Sequence, residues 1–223
     1  EGNGSFIERN VPLFGVYSGD VLWLDYDNDG DLDIFITGRG ETRLYKNFGS
    51  DVFLEVSTGI PGFDESDLAA ADFDCDGDPD LALCGRSEDS YKTEIYRNDG
   101  NDLFTLLEAD LHGVAYGSVD WGDYDQNGYP DLLISGTDDV MEYCLLYANA
   151  GNETFTEMNA NLPGVVFGNA CWGDADQDGN LDILVSGLNG TSGKLTRLYH
   201  NNNEAPNTKP GIPSNLNAGP TVT

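Results

Sequence analysis

The sequence predicts an all-β fold, a β-propeller of four four-stranded blades, on three observations. A nine-residue acidic phrase recurs as DYDNDGDLD from Asp25, DFDCDGDPD from Asp72, DYDQNGYPD from Asp123 and DADQDGNLD from Asp174. The first aspartates are 47, 51 and 51 residues apart, and a repeat period near 50 marks a unit of supersecondary structure. Between the phrases the chain runs in short apolar stretches bounded by Gly, Asn and Asp, with no long helical periodicity, which is the pattern of blade strands.

Each unit reads as four strands. The first is apolar and enters the acidic loop, as in VLWLDYD, and the second leaves it as DIFITG, DLALCG, DLLISG or DILVSG. The third carries LYKN, IYRN, LYAN or LYHN, and the fourth carries the Phe of FLEVS, FTLLE or FTEMN. Glycines keep the same register. Gly15, Gly62, Gly113 and Gly164 stand ten residues before the loops, and Gly38, Gly85, Gly136 and Gly187 thirteen after their first Asp. The opening EGNGSFIERN aligns with AGNETFTEMN, a fourth strand without its first three, whereas the last repeat stops at LYHNN without a fourth. The expectation is a ring closed by the N-terminal strand joining the last blade, which removes exposed edges. The same ends also admit pairing between molecules into an open chain of subunits.

A chain of 223 residues can form one good core, and 39% hydrophobic content argues for a folded protein. Acidic residues outnumber basic ones 40 to 10, for a net charge of -30, which excludes nucleic acid as a partner because that needs basic patches. Seventeen of the 40 carboxylates lie in the four loops, pointing to cation sites more than to a solvated coat. No apolar run reaches the eighteen or so residues of a membrane span, so membrane insertion is not expected. The chain opens at Glu1 with no Met or signal sequence, as expected of a processed or excised product. Cys75, Cys84, Cys144 and Cys171 show no CxxC pairing, and any disulfide connectivity is not legible. Sequons at Asn3, Asn152 and Asn189 fall in Gly-rich stretches where a glycan could be accepted. Together these features favour an extracellular protein, secreted or at the cell surface.

Calcium accounts best for the acidic loop. It is a hard cation taking about six to eight oxygens. In the first loop Asp25, Asp27 and Asp29 alternate so that a curled loop turns their carboxylates inward; Gly30 permits the sharp turn, residue 31 offers its carbonyl and Asp33 closes the site. An EF-hand would need Glu at position twelve, where this chain has Ile36, Leu83, Ile134 and Val185. Asp and Gly also form metal-free turns, but four loops in register, each with carboxylate or amide at positions one, three, five and nine, argue against that. Asn127 leaves the third loop with three ligand carboxylates instead of four, so that site is expected to be weakest, charge count tuning affinity.

The DxDxDGxxD pattern between short strands, followed by LYxN, resembles the FG-GAP/VCBS repeat family over about residues 1–203. The resemblance implies β-propeller blades, as in integrin α-subunit heads, with calcium in the inter-strand loop, about four Ca2+ in all. It implies side-chain ligands at Asp25, Asp27, Asp29 and Asp33; at Asp72, Asp74, Asp76 and Asp80; at Asp123, Asp125, Asn127 and Asp131; and at Asp174, Asp176, Asp178 and Asp182. Asp31, Asp78, Tyr129 and Asn180 would add backbone carbonyls. Residues 204–223, rich in Pro and Asn, read as an extended tail or linker at the start of a fibronectin type III-like domain, packed either on a neighbour or along its own propeller.

Trp23, Trp121 and Trp172 stand two residues before their loops, with Ala70 at the matching place in the second unit. They are expected to pack between blades, as are Tyr45, Tyr96, Tyr147 and Tyr199. His112 and His200 occupy different repeat positions with no recurring nucleophile, and the carboxylates are claimed by the loops, so no enzyme is expected. Two classes remain. One is a calcium-stabilised, glycosylated structural or adhesion module, a protomer of a surface assembly or filament whose partners are itself or other extracellular domains. The alternative is a lectin-like propeller binding glycans or proteins.

Overall fold

The structure, a computed structural model, describes residues 4–190 and 193–203. It is all-β, with no helix among these residues and so none able to cross a membrane. Blade one is β1 (Val21–Leu24), β2 (Asp33–Gly38), β3 (Glu41–Asn47) and β4 (Phe53–Val56). Blade two is β5 (Asp64–Ala71), β6 (Asp80–Ser87), β7 (Ser90–Asn98) and β8 (Phe104–Leu107), and blade three is β9 (Ala115–Gly122), β10 (Asp131–Thr137), β11 (Glu142–Asn149) and β12 (Phe155–Met158). Blade four is β13 (Val166–Gly173), β14 (Asp182–Asn189) and β15 (Gly193–Tyr199). Every sheet is an antiparallel meander in chain order, as short connections dictate.

The second strands read as near-continuous apolar runs because they are covered on both faces, and all six residues of β2 are buried. Three of the four cores therefore lie between two blades, and the fourth is formed within blade one and its leading segment, by Ile34, Ile36 and Tyr45 with Phe14, Val16 and Phe53. Tyr26, Phe35 and Leu44 of blade one meet Phe63, Leu81 and Phe104 of blade two. Phe73, Ala82 and Ile95 meet Val114, Leu132 and Tyr147; Leu133 and Cys144 meet Val165, Ala170 and Val185. Burying one such side chain contributes about 1.5–3 kcal/mol, and all of that contribution depends on the neighbouring blade being present.

The predicted blade order and strand roles are observed, but the predicted closure is not formed among the described residues. Blade four has three strands, and residues 4–16 contain none. Blade four packs on blade three, through β13 against β9 and β10, while blade one packs on blade two through β1 and β2 against β5. Among the described residues the four blades form an open arc. The aromatic expectation holds in part. Trp121 stacks on Phe73 across the second junction and Trp172 on Tyr124 across the third. Trp23 is exposed instead of buried, with no blade in front of it among the described residues, and its ring meets that of Phe53 in its own sheet. Tyr45, Tyr96 and Tyr147 are buried as expected and Tyr199, on the last blade, is half-buried.

All four cysteines are free thiols. Cys84 and Cys144 are core residues, and burial pushes the Cys144 thiol up to about 12, so they behave as small apolar side chains. Asn152 is exposed in a loop, whereas the Asn189 side chain donates to Gly164 O at 2.7 Å. Asn3 and the tail from residue 204 lie outside the described residues.

Candidate metal centre

The four acidic loops link the first and second strands of the four blades, at corresponding places. At position six Gly30, Gly77, Gly128 and Gly179 take φ of +92°, +98°, +93° and +86°, a region that favours glycine. Position one ties the loop into a ring. Asp25 accepts from the Asp29 and Gly30 N–H groups at 3.0 and 3.1 Å, and Asp72 from Asp76 and Gly77, both at 3.0 Å. Asp123 accepts from Asn127 and Gly128, again at 3.0 Å, and Asp174 from Gly179 at 3.1 Å. Position five caps position seven in every loop, as in Asp76 with the Asp78 N–H at 2.9 Å.

Position nine is a buried clamp. Asp33, Asp80, Asp131 and Asp182 are all essentially inaccessible, and each carboxylate accepts two backbone N–H groups. For Asp80 these come from Phe73 at 3.0 Å and Asn98 at 2.8 Å, tying the loop to the third strand. Burial pushes the Asp80 carboxyl up to about 7 and Asp131 to about 6, against the lowering effect of those N–H donors. Burial also raises Asp33. Burial of Asp182 is outweighed by the Asn201 and Ala175 N–H groups and by His200, which hold it below the usual carboxylate range.

Oxygens of Asp25, Asp27 and Asp29 converge within 4.8 Å of one another, as do those of Asp72, Asp74 and Asp80, of Asp123, Asp125 and Asp131, and of Asp174, Asp176 and Asp178. The donor set suits a hard divalent cation, being all oxygen and anionic. A second observation fits the same conclusion: Asp27 Oδ1 is buried with no hydrogen-bond partner, and such an atom is costly to leave unpaired. Asp29, Asp76, Asn127 and Asp178 are exposed at the rim. Asp31 is exposed as well, while Asp78 and Tyr129 are half-buried and Asn180 is buried.

Three features escaped the sequence reading. Lys46, which follows the Tyr of LYKN, places its ammonium on Asp27, and Arg97 at the matching place pairs with Asp99 and with Glu153 of the next blade. His200 at the same place lies 3.3 Å from Asp182. The Asn of LYxN donates across the blade junction in blades two to four, as Asn149 Nδ2 does to Phe73 O at 2.8 Å; its fixed spacing was the available signal. Finally, Asp67 and Asp120 on the inner strands accept the Val119 and Trp172 N–H groups of the next blade at 3.0 and 3.1 Å.

The FG-GAP-like repeat model matches the chain twice, over residues 25–83 and 72–134. No curated protein matches the sequence. Among solved structures, one from Agrocybe aegerita, described as the structural basis of specific recognition of non-reducing terminal N-acetylglucosamine by a lectin, is similar with a TM-score of 0.50 at 20% identity. The alignment covers 81% of this chain and 50% of that one, so the chain spans about half the length of that structure.

Proposed function

We propose, from the premise that the chain is an FG-GAP-repeat protein, that it is a calcium-stabilised structural or adhesion module of an extracellular assembly. One observation carries the reading: four loops in register gather anionic oxygens, and each is clamped by its ninth residue onto the strand framework. A cation at each loop would neutralise the local repulsion and stiffen the end of every blade. On this reading the ligands are Asp at positions one, three, five and nine, with Asn127 in the third loop, and the metal role is structural, not catalytic. Exposed Asn152 is the best-placed glycan acceptor.

The test is thermal unfolding followed by circular dichroism in millimolar calcium and after chelation, beside equilibrium dialysis for stoichiometry. About four bound ions and a melting temperature that falls on chelation are expected; an unchanged melting temperature would sink the reading.

A second reading, a lectin-like propeller, draws support from the likeness in fold to the N-acetylglucosamine-specific lectin. A glycan screen with the calcium-loaded chain tests it, and binding to a defined terminal sugar would favour it over the structural role.

A further inference from the structure

The blade junction is built three times from the same parts. The Asn of the third strand reaches back to the preceding loop, from Asn98 to Tyr26 O at 2.7 Å, Asn149 to Phe73 O at 2.8 Å and Asn201 to Tyr124 O at 2.9 Å. Loop position four reaches forward, from Asn28 to Asp78 at 2.7 Å and from Gln126 to Asn180 at 2.9 Å. The glycine ten residues before each loop passes so close to the preceding blade that a Cβ would lie 1.8 Å from Gly40 O, 2.1 Å from Tyr91 O or 1.9 Å from Glu142 O.

At the two ends of the arc the halves of this junction stand apart. On the leading face Gly15 has open space around it, and Asn47 bonds only within its own blade, to Leu32 O. Val21 is 61% exposed and Trp23 60%, whereas Leu68, Val119 and Ala170, which match Val21, are at most 5% exposed. On the trailing face Leu184 and Leu198 are 43% and 49% exposed, though their counterparts Leu133 and Leu146 are buried at 0% and 5%. Gln177, the fourth residue of the last loop, has no forward partner among the described residues. At the second and third junctions the residue two before the loop stacks on the second loop residue of the preceding blade, Trp121 on Phe73 and Trp172 on Tyr124; at the ends the corresponding pair is Trp23 and the smaller Ala175. Among the described residues the last sheet also has no outer strand, while Phe6 and Ile7 lie exposed in a segment aligned with that strand.

We propose that the leading face of one copy docks on the trailing face of a second copy, reproducing the internal blade junction between molecules. Trp23 and Val21 cover Leu184 and Leu198, Asn47 reaches Ala175 O, Gly15 seats against the Lys194 backbone, and Gln177 reaches Asp31. Residues 5–10 then supply the outer strand of the partner's last blade, by strand addition. The occupant is another copy because each unpaired half has its match, part for part, on the opposite end of the same chain. The contact is heterologous, so it propagates into an open chain or closes into a ring. It also brings the first and last acidic loops together, and it therefore requires the cation; in this respect it rests on the calcium-module reading.

Sedimentation velocity in millimolar calcium tests the contact with Gly15→Val and Leu198→Glu. Both positions are exposed, so each variant should melt with the wild type. The wild type should form species that grow with concentration beyond the 24.1 kDa monomer. Each variant, with one face blocked, should remain monomeric, and an equimolar mixture of the two should stop at a dimer. A wild type that stays monomeric, or variants that associate as it does, overturns the docking. A monomer whose melting temperature still rises with calcium overturns the docking alone, and points to flanking repeats as the cover for these faces. Absence of any calcium effect on melting overturns the underlying reading instead.

Discussion

Two regions of this molecule concentrate carboxylates, and they handle the charge in opposite ways. In the loops, several aspartates converge on one point, partly exposed, with oxygens within 4.8 Å of one another. On the inner strands Asp67 and Asp120 stand apart, each capping a backbone N–H of the next blade. Burial, helped by the negative charges of Asp20 and Asp120, pushes the Asp67 carboxyl up to about 7. A cluster can be relieved by one shared cation, whereas a solitary buried carboxylate can be relieved only by a proton or by hydrogen bonds. On the proposed reading, the same residue type thus makes the loops responsive to metal and the inner strands responsive to pH.

The largest effect should come from removing the metal. If each loop bound calcium with a dissociation constant of ~10 μM in ~1 mM calcium, each site would contribute roughly 2.7 kcal/mol. Chelation should therefore lower the unfolding free energy by several kcal/mol, measured by denaturant titration with and without chelator. No change would erase the distinction between the two regions.

Next is Asp80→Ala, which removes the carboxylate at position nine of the second loop, a ligand on the proposed reading, and orphans the Phe73 and Asn98 N–H groups. Each orphaned buried donor costs about 1–3 kcal/mol, so destabilisation should persist in the chelated protein. Asp76→Ala, at the exposed rim, should lose stability only when calcium is present. Denaturant titrations of both variants, with and without the metal, separate clamp from ligand.

The inner strands should respond to pH. The folded Asp67 carboxyl lies above its ordinary value of 3.8, so folding favours its protonated form. Its stabilising contribution is complete below about pH 4 and is lost as pH rises through about 7. Asp67→Asn keeps an acceptor for the Val119 N–H and removes that loss. The variant should be more stable than wild type at pH 8 by roughly 2–4 kcal/mol and nearly equal at pH 4. Equal stability at pH 8 would show the carboxylate to be better solvated than its position indicates.

The smallest effect sharpens the comparison within the loops. Asn127→Asp restores a fourth ligand carboxylate to the third loop and gives up the Asn127 bond to Asn149 O. Calcium affinity at that site should rise several-fold, read by isothermal titration calorimetry. Lys46→Met should act similarly at the first loop, by removing the ammonium from Asp27. A Lys46 effect larger than that of Asn127 would mean that neighbouring cations, more than ligand count, rank the sites.

Sequence alone determined the local features, because repeat, register and turn chemistry are written in contiguous residues. Glycine at position six is required by its positive φ, and alternating Asp at one, three and five follows from a loop that curls around a point. The strand order follows from the alternation of apolar runs and turns. Only the tertiary structure decided what each blade face meets. Trp23 and Trp121 have the same neighbours in sequence pattern, yet one is exposed and the other stacks on Phe73, because burial depends on whether another blade lies in front. Asp67 and Asp72 likewise read as two aspartates five residues apart; one joins a converging cluster and the other is isolated at a blade junction. Ring closure belongs to the same class. It depends on the accumulated angle between blades, which is set by side-chain packing at each junction and not by any stretch of contiguous residues.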